Sequence, residues 1–269
     1  MVDLIALQAK NGERWKTAKL TRGPQFVRPA QNAVGHKAIY LDIQQRTGVH
    51  WIFVACTHYR ESDQNFACNL GQGDRLDRVT VHVPAGRGPF TGPNAFADGA
   101  VDALVNCAPY AARIKDWSIA SLLTWLERYN GLRYANSDRP SPYVWSGTSI
   151  YDPPSGPGGK VQVDHGPIEN IVDKQLGCAG LILAIMAIDP SVTFDEVSAA
   201  APVAVEPPLD AEWLQQSLNA LGATPALVVD GINGENTRMT VRAFQQLKGL
   251  PVTGVADLDT IAAIKAALA

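Results

Sequence analysis

The stretch that decides the fold is WIFVACTHYRESDQNFACNLGQGDRLDRVTVHVP, residues 51–84. Its first part is apolar and free of glycine and proline up to the acidic residue Glu61, which predicts a buried helix over residues 50–60. Glycine and proline then interrupt the chain between residues 66 and 93, around short runs rich in Val and Thr that favour strands. The stretch therefore predicts a helix that brings an acid to its end, followed by a short β-hairpin.

Helical patterns continue on both sides of this stretch. Outside it, apolar residues recur at helical spacing over residues 36–46, 95–105 and 119–129, and an apolar helix ends near residue 189. The segment 130–165 is rich in Gly, Pro, Ser and aromatic residues, which predicts a loop. The fold class predicted for residues 1–195 is α+β, mainly α, with helices around a short β-hairpin.

The composition changes at residue 196. Residues 196–210, EVSAAAPVAVEPPLD, are dominated by Ala, Val and Pro without a periodic pattern, which predicts a linker. Three helical segments follow at 211–221, 235–247 and 257–268. The predicted domains are 1–195, a linker at 196–210, and a small three-helix domain at 211–269.

Composition and charge exclude several classes of function. The 269 residues include 23 Lys and Arg against 26 Asp and Glu, so the chain lacks the basic surface of a nucleic-acid-binding protein. The longest apolar run, 176–188, is too short to cross a bilayer, so no stable membrane insertion is expected. The first residues do not show the pattern of a signal peptide, so we expect synthesis in the cytoplasm.

The four cysteines and five histidines point to no metal site and no cofactor. The cysteines form no CxxC pair, although Cys68 and Cys107 could pair in an oxidising compartment. The histidines form neither HExxH nor a close cluster, which disfavours a zinc peptidase or amidase. A cysteine peptidase is also disfavoured, because Cys56 and Cys178 lie in apolar runs.

The last 59 residues carry three motifs in order: WLQQSLNALG at 213–222, DGINGENTRMTVRAFQ at 230–245 and LPVTGVADLDT at 250–260. They closely resemble the three-helix peptidoglycan-binding domain found at one end of many cell-wall hydrolases. The resemblance implies that bacterial peptidoglycan is the partner. The residues that it suggests for wall contact are Asp230, Gly231, Asn233, Arg238 and Gln245.

The first domain resembles the lysozyme superfamily, in which a helix delivers a glutamate to a substrate cleft. The pair Glu61-Ser62 is similar to the ES motif of goose-type lysozymes and lytic transglycosylases. YNG at 129–131 and SPYVWSG at 141–147 resemble cleft segments of phage-type muramidases. The resemblance implies that Glu61 is the general acid that protonates a glycosidic oxygen.

Such an acid must keep its proton near neutral pH, and the aromatic residues around Glu61 could desolvate it. Hydrolysis also needs a second carboxylate or a positioned water. Asp74 and Thr80 have the D-x5-T spacing of the residues that hold the attacking water in phage lysozymes of the T4 type, at a greater distance from the glutamate. We therefore expect Asp74 to assist catalysis together with Thr80, and Asp77 is the alternative carboxylate for this role.

Sugar binding uses aromatic faces and hydrogen-bonding amides or hydroxyls. The loop after residue 129 contains several such groups, and Ser62 is next to the acid. The predicted substrate-binding residues are Ser62, Asn130, Tyr134, Tyr143, Trp145, Ser146 and Tyr151.

The function these observations favour is that of a phage-type endolysin, a muramidase. It would wait in the host cytoplasm as a monomer, depend on a holin for release, and then act on the wall. Two alternatives stay open. A lytic transglycosylase would cut the same bond with one glutamate, and a structural protein with an inactive lysozyme fold would bind the wall without cutting it.

Overall fold

A computed structural model describes residues 2–162, 166–194, 211–230, 235–250 and 258–268, together with residues 252, 254 and 256. These residues form α-helices joined by loops and one two-stranded antiparallel sheet. The predicted class, α+β and mainly α, is confirmed. None of the helices in this part of the chain has both the length and the apolar character that spanning a bilayer requires.

The helices follow one another along the chain with few strands between them. The first six are α1 (Leu4–Thr17), α2 (Gly23–Gly35), α3 (Lys37–Thr47), α4 (Trp51–Ser62), α5 (Ala95–Asn106) and α6 (Ile119–Tyr129). The others are α7 (Arg133–Asn136), α8 (Pro142–Trp145), α9 (Cys178–Ile188), α10 (Ala211–Ala220), α11 (Glu235–Lys248) and α12 (Leu258–Leu268), and a 3-10 turn covers Ala111–Arg113.

The strongly periodic helices lie where the sequence predicts them. Helices α3 to α6 begin and end within two residues of the expected positions. Helix α4 begins after His50, whose Nδ1 accepts a hydrogen bond from the N–H of Ile52 at 3.3 Å. Helix α6 begins after Ser118, whose hydroxyl accepts from Ser121. The apolar periodicity and these capping residues together set the bounds.

Helices α1 and α2 were not expected. Helix α1 has a capping signal, because Asp3 Oδ1 accepts hydrogen bonds from the N–H groups of Ile5 and Ala6 at 2.9 and 3.2 Å. Its polar composition hides the apolar face. Helix α2 contains Pro24 at its start and Pro29 in its interior, and proline normally argues against a helix. Both helices are held by packing rather than by local preference.

The predicted β-hairpin at residues 66–93 is wrong. This segment is described throughout and contains no strand, only an isolated bridge between Cys68 and Arg75. It closes as a loop, with the N–H of Thr80 donating to the carbonyl of Arg87 and Gly86 donating back to Thr80. The N–H groups of Val81 and His82, inside the Val-rich run, donate to Asp74 Oδ2 instead of to a partner strand, and Pro84 and Pro89 have no N–H to continue a ladder. For these two reasons the run does not pair.

The first strand of the observed sheet lies in the segment predicted to be a loop, 130–165, and the second lies just after it. Strand β1 (Lys160–Val161) pairs antiparallel with β2 (Ile168–Glu169), and Lys160 lies opposite Glu169. Residues 163–165, between the strands, are outside the described residues.

The described residues fall into two compact units. The first comprises residues 2–38, 50–64 and 115–194, and the second comprises residues 39–49, 65–114 and those described from 211 onward. In the first, α1 packs on α6 and α2 packs on α9. The second contains α5 and the three helices of the tail. The predicted linker, 196–210, lies outside the described residues, so the predicted domain boundaries stay a prediction.

Candidate active site and wall-binding module

Glu61 lies in the last turn of α4, whose residues 51–59 are buried. The two residues that follow the helix, Asp63 and Gln64, adopt a left-handed backbone conformation at φ 52° and 62°. Two successive non-glycine residues in this conformation need outside support. Gln64 receives it by donating to the carbonyl of Pro29 at 3.0 Å and accepting from Asn32 at 3.2 Å. The end of the helix that carries Glu61 is therefore fixed in position.

Tyr143 is the direct partner of Glu61. Its hydroxyl donates a hydrogen bond to Glu61 Oε1 at 3.0 Å. Tyr143 lies on α8 and is 2% exposed, so its ring cannot swing away without opening the core. The Arg60 guanidinium stacks over this ring at 4.7 Å from the centroid. A phenol and a cation thus border the carboxyl group.

Arg60 is itself held by a buried network from residues distant in the sequence. It donates to the carbonyl of Leu176 at 3.1 Å and lies 3.4 Å from the Asp173 carboxylate. Lys160 Nζ, on β1, lies 2.7 Å from the other oxygen of Asp173. Asp173 is 2% exposed, and the two cations compensate its buried charge. This network orients Arg60 beside Tyr143.

Burial raises the pKa of the Glu61 carboxyl to about 7. The hydrogen bond from Tyr143 and the positive charge of Arg60 act in the opposite direction, because both stabilise the charged carboxylate. Desolvation prevails. A substantial fraction of Glu61 therefore carries its proton at neutral pH, as a general acid must.

Several residues predicted to bind substrate lie in the core instead. Trp145, Ser146 and Tyr151 have no exposed surface. The Ser146 hydroxyl donates to the carbonyl of Asp173 at 2.9 Å, and the Tyr151 hydroxyl accepts from the N–H of Asp173 at 3.0 Å. Tyr134 is 6% exposed. Of these side chains, Ser146 and Tyr151 hold the backbone of Asp173, whose carboxylate faces Arg60.

The remaining two predicted sugar contacts lie at the surface of the first unit. Asn130 follows the last residue of α6 and is exposed. Ser62 is partly exposed, and its hydroxyl donates to the carbonyl of His58 at 3.2 Å. Of the seven residues predicted to bind substrate, Ser62, Asn130 and Tyr143 are thus the ones that are solvent-accessible or touch the acid.

Asp74, Thr80 and Asp77 build the 66–93 loop. Asp74 Oδ2 accepts from the N–H groups of Val81 and His82 at 2.8 and 2.9 Å, and these bonds, that of His82 first, lower its pKa. The Thr80 hydroxyl donates to Pro84 and accepts from Arg87. Hydrogen bonds from Arg75 and Arg78 lower the pKa of Asp77 to about 2. Both aspartates are therefore ionised at neutral pH.

Sequence reasoning missed Arg60, Asp173 and Lys160. Arg60 adjoins Glu61 and could have been noticed, but Asp173 is 113 residues away and no local pattern marks it. In the described residues no cluster of His, Cys, Asp and Glu could hold a metal ion. All four cysteines are free thiols.

In the tail, Arg238 and Gln245 are buried. Arg238 donates to the carbonyl of Gly88 at 2.5 Å, and Gln245 donates to Thr260 at 2.9 Å while accepting from the N–H of Gly254. Asp230 is exposed and accepts from Gln215 Nε2 at 2.7 Å. Gly231 and Asn233 lie outside the described residues. Asp230 is thus the one of the five predicted wall contacts that the structure places at the surface.

Comparison with protein-family models gives one match. Residues 209–264 match the family described as "Putative peptidoglycan binding domain". The tail is therefore similar to peptidoglycan-binding domains, which supports association with the cell wall. Comparisons with curated proteins and with solved structures give no match.

Proposed function

We propose that this protein is a peptidoglycan hydrolase that cleaves the β-1,4 bond between N-acetylmuramic acid and N-acetylglucosamine, with Glu61 as the general acid. The observation that carries the proposal is the Glu61 carboxyl group at the end of α4, with a pKa of about 7 and a hydrogen bond from Tyr143. The similarity of residues 209–264 to peptidoglycan-binding domains supports the choice of substrate.

In this proposal the protonated Glu61 gives its proton to the glycosidic oxygen as the bond breaks. Tyr143 binds Oε1, which leaves Oε2 as the oxygen for the transferable proton. After the transfer, the Tyr143 hydroxyl and the Arg60 charge stabilise the carboxylate that remains. Removing a general acid of this kind lowers rates by roughly 10²–10⁴-fold.

The second step needs a water molecule or a second carboxylate on the opposite face of the sugar. Our hypothesis for this role remains Asp74, assisted by Thr80. Asp77 is the alternative carboxylate. Both aspartates have the ionised form that the role requires, although Asp74 also holds the backbone of its loop. An Asp74→Asn variant with unchanged thermal unfolding and full activity would remove Asp74 from the mechanism.

A lytic transglycosylase is the second candidate. Burial raises the pKa of Glu61, and the two side chains that act against this rise, Tyr143 and Arg60, are not carboxylates. In that reaction the C6 hydroxyl of the muramic acid attacks C1 intramolecularly, and Glu61 serves as acid and then as base. Mass spectrometry of digested sacculi separates the two reactions, because hydrolysis leaves reducing ends and transglycosylation leaves anhydro ends.

The test of enzymatic activity is Glu61→Gln, which keeps the shape of the side chain and removes the transferable proton. We expect clearing of a sacculus suspension to fall at least about 100-fold while sedimentation with sacculi is unchanged. Glu13→Gln, at an exposed position of α1, is the control. If wild-type protein binds sacculi and never clears them, the chain is a wall-binding structural protein instead.

The cellular setting is part of the proposal. An endolysin would be held in the host cytoplasm as a monomer until a holin opens the membrane, and would then reach the wall. The similarity of the tail to peptidoglycan-binding domains supports only the last of these steps.

A further inference from the structure

An open groove of about 740 Å³ runs between α10, the loop after it and α11. This volume lies within the range of sites that bind small ligands, roughly 300–1,000 Å³. The groove lies inside the span that matches the peptidoglycan-binding family, and the five wall contacts predicted from the sequence include only one residue that lines it, Asp230.

The walls of the groove are aliphatic and exposed. Val228, Met239 and Leu247 line it and are 75%, 58% and 78% exposed. Leu218 and Leu227 form its buried floor. Exposed apolar side chains that lie together on one surface are typical of interaction sites.

Charged groups lie at the two ends of this surface. Asp230 lines one end, where it is tied to Gln215 and, through that side chain, to Thr237 in the first turn of α11. Lys248 is the last residue of the same helix and follows Leu247, which lines the groove; its Nζ lies 5.7 Å from the ring centroid of Phe244, another lining residue. From Thr237 to Lys248 the helix rises about 16 Å, the reach of about five residues of extended chain.

These features fit a short peptide better than a sugar chain. Protein sites for sugars usually present the face of an aromatic ring, but the aromatic residue that lines the groove, Phe244, is 7% exposed and lies beneath Lys248. The peptide stems of peptidoglycan are short and carry alanine methyl groups, free carboxylates and, in many walls, the amine of a diamino acid. Methyl groups suit the aliphatic walls, a carboxylate suits Lys248 and an amine suits Asp230.

We propose that the groove between α10 and α11 binds the peptide stem of peptidoglycan, with its apolar walls on the methyl groups and Lys248 and Asp230 on the charged groups. The proposal deepens the wall-binding part of the proposed function and does not depend on catalysis. In this proposal the tail recognises the peptide stems rather than the glycan strands.

The test measures binding of the full chain carrying Glu61→Gln to insoluble wall, so that no cleavage interferes. The probes are intact sacculi and glycan strands from which an amidase has removed the peptide stems. We expect the protein to sediment with sacculi and to lose at least tenfold in affinity for the stripped strands. Equal binding to stripped strands would overturn the proposal, because the ligand would then be the sugar chain.

Substitutions in the groove test whether the ligand binds there. Met239→Gln combined with Leu247→Gln keeps good helix formers on α11 and removes the apolar walls, and we expect at least tenfold weaker binding to sacculi. Leu268→Gln makes the same change on α12, outside the groove lining, and should bind as the parent does. If the double variant unfolds at the parent temperature and binds equally well, the groove is not the site.

Lys248→Gln and Asp230→Asn test the charged ends separately. Asn keeps an oxygen that can accept from Gln215, so this change removes the charge with little effect on the loop. Each should weaken sacculus binding several-fold, with a smaller effect at high salt. Binding that is unchanged in both variants would refute the part of the proposal that concerns charge. Since all readouts are binding, a failure here leaves the clearing assay of Glu61→Gln as an independent test of catalysis.

Discussion

At the scale of single residues, Glu61 combines partial burial with two groups that stabilise its charge. Burial raises its pKa to about 7, so folding favours the protonated form of this carboxyl. A residue used as a catalytic acid is often unfavourable for stability when it ionises. The raised pKa, which supports the proposed proton donation by Glu61, therefore also makes the fold less stable above neutral pH.

The difference in stability between Glu61→Gln and the wild type should depend on pH. Because the folded pKa lies above that of the unfolded chain, the native state of the wild type binds the extra proton between about pH 4.5 and pH 7, and its stability falls as pH rises through this window. At pH 8 we expect the variant to be more stable by about 1–3 kcal/mol, and at pH 4 to differ little. Urea denaturation at the two pH values measures this, and equal differences would contradict the raised pKa.

Tyr143→Phe should shift the pH profile of activity. The hydroxyl of Tyr143 lowers the pKa of Glu61, so its removal should raise this pKa and move the alkaline limb of the profile to higher pH. Besides burial and Glu61, the groups that act on the pKa of Tyr143 are Cys178 on α9, Tyr129 on α6 and Arg60 on α4, and the change replaces none of them. Clearing rates from pH 5 to pH 9 measure the shift.

Tyr134→Phe is the matched control for this prediction. Tyr134 lies on α7 and its hydroxyl accepts a hydrogen bond from the backbone N–H of Val161 at 2.8 Å, so the change removes one buried hydroxyl without affecting the Glu61 pair. Its profile should keep the wild-type midpoint. A profile that shifts equally in both variants would indicate a general loss of packing rather than an effect on the acid.

At the scale of elements, the close packing of α2 on α9 limits which residues can replace glycine at their contact. A Cβ atom at Gly180, on α9, would lie 2.2 Å from the ring of Phe26, on α2, whereas a Cβ at Gly35 meets nothing within 4 Å. We expect Gly180→Ala to lower the free energy of unfolding by about 1–3 kcal/mol. Gly35→Ala should be neutral or slightly stabilising. Thermal unfolding of both variants checks this, and a stable Gly180→Ala protein would contradict the packing.

The elements also differ in how far their sequence predicts them. Helix α4 is predicted within two residues, because its apolar run is long and uninterrupted. The 66–93 loop is not, because its Val-rich run has strand-forming composition while the side chains of Asp74 and Thr80 bind the backbone groups that a ladder would use. The strand preference of the Val-rich run is therefore overridden by side-chain hydrogen bonds within the loop, and composition does not reveal these bonds.

At the scale of the whole molecule, the tail should matter most where the substrate is insoluble. We expect truncation after residue 205 to weaken association with sacculi and to lower their clearing, with less effect on soluble glycan fragments. Truncation also removes the hydrogen bond from Arg238 to Gly88, so a loss of clearing could come from damage to the 66–93 loop. The Met239→Gln, Leu247→Gln protein keeps this bond and changes only the groove, and it should therefore be assayed beside the truncated protein. Truncated protein that clears sacculi at the wild-type rate would contradict a role of the tail in targeting.

The sequence by itself determined the helices with strong apolar periodicity, the three motifs of the tail and the acid at the end of α4. These features depend on interactions between residues a few positions apart, which a linear pattern records. Only the tertiary structure decided which aromatic residues are core, which loop hydrogen bonds replace a hairpin and which groups surround Glu61. Tyr143 reaches that carboxyl across 82 positions of sequence, and burial, the cause of its raised pKa, is a property of the assembled core.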